Sequence, residues 1–170
     1  MSLSMYQASA PVFIRQLGSV AKILEKAEAF ALSSGIDPAD LIEARLAPDM
    51  HPFPRQIQIA SDLAKGSIAR LAGVDIPSFA DTETSFAELQ ERVAKTIAFI
   101  TGLPAEKIDG SEAREIALKV RGNDITLAGQ AYLLHFVMPN FFFHCTTAYL
   151  ILRHKGVPLG KMDFIGGIPS

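Results

Sequence analysis

Residues 131–152 form the longest apolar run of the chain, matching the length of about 20 residues that a membrane span requires. They are interrupted by His135, Pro139, Asn140, His144, Thr146 and Thr147. In hydrocarbon those polar groups would lack partners, so the run is read as a helix surrounded by protein rather than lipid. A helix that is apolar around most of its circumference needs neighbours on several sides. The chain must therefore provide other helices to cover it, and the upstream pattern contains three long ones.

The first is marked by Tyr6, Phe13, Leu17, Val20, Leu24, Ala27 and Ala31, a seam of near-heptad spacing that ends at Gly35. Asp37 and Pro38 then suit the N-cap and first position of a short helix, which Pro48, Pro52 and Pro54 stop from continuing. Pro54 opens the second long helix, expected to about Ala72, with Ile57, Ile59, Ala60, Leu63, Ala64, Ile68 and Leu71 on its broad apolar face. Gln58, Asp62, Lys65 and Ala69 fall on the opposite side, where Gln58, Asp62 and Lys65 are expected as a solvated polar patch. After a loop, Ser85 with Glu88 reads as a capping box, and Phe86, Leu89, Val93, Ile97 and Ile100 give the third long helix its apolar stripe.

Strand periodicity appears once. Ile116, Leu118 and Val120 alternate with other residues, as do Ile125 and Leu127, and Arg121-Gly122-Asn123-Asp124 lies between them as turn chemistry. The reading is a small β-hairpin near 114–128, followed by the last long helix over 129–154 with a kink at Pro139. The glycine-rich stretch from Val157 is expected as irregular coil. The fold class is thus mainly α: a four-helix up-and-down bundle with a small β-hairpin before the last helix, spanning residues 1–170 as one domain.

Composition narrows function by exclusion. A net charge of −2 without a basic run argues against nucleic acid and anionic membrane as partners. The single cysteine, Cys145, allows no intrachain disulfide, and Met1-Ser2-Leu3-Ser4-Met5 lacks the basic region and apolar run of a signal peptide. The expected location is cytoplasmic. A mean hydropathy of +0.24, with a last helix apolar almost all round, leads us to expect a homodimer.

The stretch from Met138-Pro139-Asn140-Phe141-Phe142-Phe143-His144-Cys145 through Arg153-His154-Lys155-Gly156 to Lys161-Met162-Asp163-Phe164 is distinctive. With Leu46-Ala47-Pro48-Asp49-Met50, it resembles the bacterial family known as domain of unknown function nineteen-ninety-three. That family is similar to the DinB/YfiT-like superfamily, so the resemblance implies an up-down-down-up four-helix bundle. It also implies a divalent metal held by three histidines, one on the second long helix and two spaced four apart on the last. Here the four-apart pair is Asn140 and His144, and the second long helix has no histidine; Asp62 is its nearest residue with ligand chemistry. His51 precedes that helix in a proline-rich turn.

Helical geometry sorts these residues. At about 100° per residue, His135 and His144 lie about 180° apart and cannot converge on one ion, whereas Asn140 and His144 share a face. The candidate site is therefore His144, Asn140 and Asp62, either a weak Zn²⁺, Mn²⁺ or Ni²⁺ site or a core histidine bonded to Asn140 or to a carboxylate from another helix. Cys145 points away from His144, which suits a buried inert thiol better than a nucleophile. Phe141, Phe142 and Phe143 could serve as core, pocket or interface. The tail glycines match no phosphate-binding pattern. Three functions follow: a homodimeric binding or scaffold protein with a degenerate metal site, a metal-dependent thiol or small-molecule transferase, and a binder of a small apolar ligand.

Overall fold

The computed structural model describes residues 3–167. Helix α1 spans Met5–Ser34, α2 Pro38–Ile42, α3 Phe53–Ala72 and α4 Phe86–Thr101. A short α5 (Ala105–Ile108) leads to strands β1 (Glu115–Val120) and β2 (Asn123–Ala128). The last long helix is composite: α6 (Gly129–Ala131), a π-turn over Tyr132–Val137 and α7 (Met138–His154). Helix α8 (Lys161–Ile165) follows.

Local chemistry explains most of these bounds. The Ser4 hydroxyl accepts from the Gln7 amide at the start of α1, and Gly35 ends the helix in the left-handed conformation, φ 66°. Ser85 caps α4, but the Glu88 carboxylate reaches the Thr84 N–H at 2.7 Å rather than that of Ser85. Arg121 and Gly122 both have positive φ, 49° and 84°, the conformation of a tight two-residue hairpin turn. Asn123 and Asp124, expected within the turn, instead pair with Val120 and Lys119 in the ladder.

Contacts between named residues give the helix directions. Phe53 and Phe86, at the starts of α3 and α4, have ring centroids 6.0 Å apart, so these helices run parallel. His144 meets Gln56 while Tyr132 meets Arg70, so α3 and the last helix run antiparallel. Helix α1 packs mainly on α4. The buried residues form one cluster in which Phe13, Leu17, Leu24, Ile57, Ile68, Leu89 and Phe141 are fully enclosed.

Two expectations need correction, and the irregularity expected near Pro139 becomes specific. It is a π-turn just before the proline, where the Met138 N–H bonds the Leu133 carbonyl five residues back. Proline lacks an N–H and crowds the preceding turn, and widening that turn relieves both. The tail is not wholly irregular: Asp163 caps the Gly160 N–H at 2.8 Å, and α8 is tied to α1 by Lys26–Asp163 at 2.5 Å. Finally, Gln58 and Lys65 are buried rather than solvated, because the loop between α3 and α4 folds over them.

Candidate functional site

The site begins with a glutamine that occupies a core position. Gln56 falls in phase with Phe53, Ile57 and Ala60 on α3 and is 2% exposed. Its Nε2 donates to the His51 carbonyl at 3.0 Å, which orients the amide and turns Oε1 toward the last helix. There His144 Nδ1 lies 2.7 Å from that oxygen. An amide oxygen only accepts, so Nδ1 carries the proton and Nε2 of His144 has the lone pair. Burial disfavours the charged ring, and nearby His51 and Arg55 add positive charge, so the His144 pKa lies below its ordinary 6.5. The ring of Phe143 packs edge-on against it, centroids 5.2 Å apart.

Asn140, one turn earlier, bonds neither His144 nor a carboxylate; its amide donates back to the Phe136 carbonyl beside the π-turn. Asp62 follows Gln56 by six residues, about 9 Å along α3 and about 120° around it. Its carboxylate is engaged toward α4, with Oδ1 2.9 Å from Arg92 Nη2 and 2.6 Å from Lys65 Nζ. The structure thus engages His144, Asn140 and Asp62 with three different sets of partners. Among the described residues no three His, Cys, Asp or Glu side chains form a group able to hold a metal. The donors do not fit the ion that the resemblance implies. His135 is exposed. Cys145 is buried, and that burial raises its thiol pKa far above the ordinary range.

Arg92 organises the neighbouring surface. It is 2% exposed on α4, in phase with Leu89, Val93 and Thr96. Its guanidinium meets Asp62 and Asp81 at 2.9 Å and Glu83 at 2.8 Å. Gln58 donates to Glu83 at 2.9 Å, Arg55 pairs with Asp81, and both Lys65 and Arg92 lie over the Phe79 ring. The loop of residues 73–85 is thereby pinned onto α3 and α4. Sequence reading missed Gln56 and Arg92, although both carry the same signal: a polar side chain in the phase of an apolar stripe, where burial demands a partner.

The sequence matches the family described as Domain of unknown function (DUF1993) over residues 5–165. The chain belongs to that family. It is also similar to a DinB family member protein from Shewanella denitrificans, whose crystal structure matches with a TM-score of 0.88 and 36% identity. That match covers 97% of this chain and 93% of the other. No curated protein matches. This DUF1993 chain therefore has a DinB-like fold, mainly helical with one two-stranded hairpin. No helix among the described residues is long and apolar enough to cross a membrane.

Proposed function

We propose that this DUF1993 chain is a homodimeric binding protein of the cytoplasm in which a DinB-like bundle has replaced metal ligation with a half-buried histidine hydrogen-bonded to a core glutamine. One observation carries the reading. Gln56 Oε1 accepts from His144 at 2.7 Å, and the same amide is anchored by the His51 carbonyl. Asp62 is neutralised by two cations, which lowers its capacity to serve as a ligand. A catalytic zinc site ordinarily draws on three protein ligands plus water, and this donor set falls short of three.

The test is metal binding by the purified chain. Equilibrium dialysis against Zn²⁺, Mn²⁺ and Ni²⁺ should leave less than one ion per chain, and His144→Ala should not change that amount. One tightly bound ion per chain, lost in His144→Ala, would favour the metal-dependent transferase instead.

The dimer rests on the outer face of α7. Phe143 is 57% exposed and Leu150 44%, and their spacing of seven puts them on one stripe. Large exposed apolar side chains aligned in this way suit a two-fold interface. The apolar-ligand reading gains little from Phe141 to Phe143. Phe141 is locked against Phe13 in the core, Phe142 packs on Phe141, and Phe143 faces outward.

A further inference from the structure

A cleft of about 320 Å³ opens on the outer face of α3, where the hairpin and the π-turn approach it. Its apolar walls include Ile59, Leu63, Leu118, Tyr132 and Phe136. The Tyr132 and Phe136 rings are stacked, 6.0 Å apart and 20° from parallel, a pairing set by the π-turn that carries both. Arg55 and Arg70 supply positive charge around these walls, Lys119 borders them with its side chain on the opposite face of β1 from Leu118, and Asp62 is the one carboxylate among the lining residues.

The charges of this cleft do not cancel. Arg55 is paired with Asp81, and Asp62 is satisfied by Arg92 and Lys65. Among the described residues no carboxylate lies within salt-bridge distance of Arg70 or Lys119. Arg70 is half-buried, and its guanidinium touches only a neutral group, the Tyr132 hydroxyl at 3.3 Å. Space for it comes from a glycine: a Cβ on Gly66 would meet Arg70 Nη1 at 2.9 Å. An alanine there would make the tip of the arginine side chain shift, so Gly66 leaves room for the guanidinium where it lies. A cation held against apolar surface, without a counter-charge, has lost hydration and attracts an anion more strongly than it would in open water.

We propose that this cleft binds a small organic anion, an acidic group on a flat apolar body, with Arg70 holding the acid and Ile59, Leu63 and Phe136 packing against the body. The guanidinium fork matches a carboxylate in two parallel hydrogen bonds. The proposal deepens the binding-protein reading by giving that protein a ligand class. It uses none of the positions at which a metal was expected except Asp62, which is already paired.

The test is titration of the full chain with 2-naphthoate and with 2-naphthylmethanol, its uncharged counterpart, followed by amide chemical shifts. Naphthoate should perturb residues of α3, the hairpin and the π-turn, and the alcohol should bind at least about tenfold more weakly. Arg70→Met should weaken naphthoate binding, whereas Lys119→Ala, on the opposite face of β1, should leave it within about twofold. Gly66→Ala should weaken it too, by displacing the guanidinium, while leaving the helix at least as stable, which separates a lost site from a lost fold. Equal affinity for the two probes, absence of naphthoate binding, or unchanged affinity in both Arg70→Met and Gly66→Ala would overturn the assignment. A stoichiometric metal in the dialysis experiment would instead defeat the non-metal reading and leave these outcomes as they stand.

Discussion

At His144 a single hydrogen bond decides the chemistry of the ring. Because Nδ1 donates to Gln56, the neutral tautomer is selected, and burial together with His51 and Arg55 depresses the pKa. The unfolded chain then binds the proton more readily than the folded one, so the contribution of His144 to stability is full above about pH 6.5. It declines as pH falls from there toward the folded-state pKa and levels off below it. His144→Gln removes this dependence, so urea denaturation at descending pH should show the parent losing stability relative to the variant. His144→Ala should lower stability by about 1–3 kcal/mol at neutral pH, because it strips a buried amide oxygen of its partner. A thermal or urea melt checks this. The histidine and its face were legible in the sequence from helical spacing alone. Its partner was not, since glutamine in an apolar stripe announces only that it needs a hydrogen bond.

Among the elements, the loop of residues 73–85 and the start of the last helix depend most on tertiary contact. Arg92 holds Asp62, Asp81 and Glu83 together from a buried position. Without Arg92, Asp62 and Asp81 keep Lys65 and Arg55 but the largely buried Glu83 loses its cation, so Arg92→Met should destabilise the chain by about 1–3 kcal/mol. Hydrogen exchange should show the loop opening before the helices do. Gly129 makes a different demand: a Cβ there would lie 2.1 Å from the Ser111 carbonyl oxygen, although the residue begins an ordinary helical turn. Gly129→Ala should therefore cost about 1–3 kcal/mol through overpacking, read by chemical denaturation. Caps and prolines made the helix ends readable, whereas the burial of Gln58 and Lys65 could not be read from α3, because a loop remote from its own apolar face covers them.

For the whole molecule, the expected outcome is a dimer in sedimentation at micromolar concentration, shifted toward monomer by Phe143→Asp or Leu150→Asp with little change in helical circular dichroism. A parent sedimenting as a clean monomer would contradict it. The bundle itself was legible because apolar periodicity is a local property: Phe13, Leu17, Val20 and Leu24 specify a buried face whatever they pack against, and the capping residues Gly35 and Ser85 bound their helices through short-range hydrogen bonds. The order of packing also followed once the family resemblance was recognised, and the DinB-like match agrees with it. The site lacked such a signal. The resemblance brought Asp62, Asn140 and His144 together, but Asp62 lies on another side of α3 from Gln56 and is held by Arg92 and Lys65, and the Phe136 carbonyl takes the amide of Asn140. What the sequence by itself determined was which faces are buried and where helices end, both governed by spacing along one chain segment. Which polar groups meet was decided only by the tertiary structure, because each partner comes from a distant segment and a buried charge or amide accepts whichever complementary group the packing brings within hydrogen-bond reach.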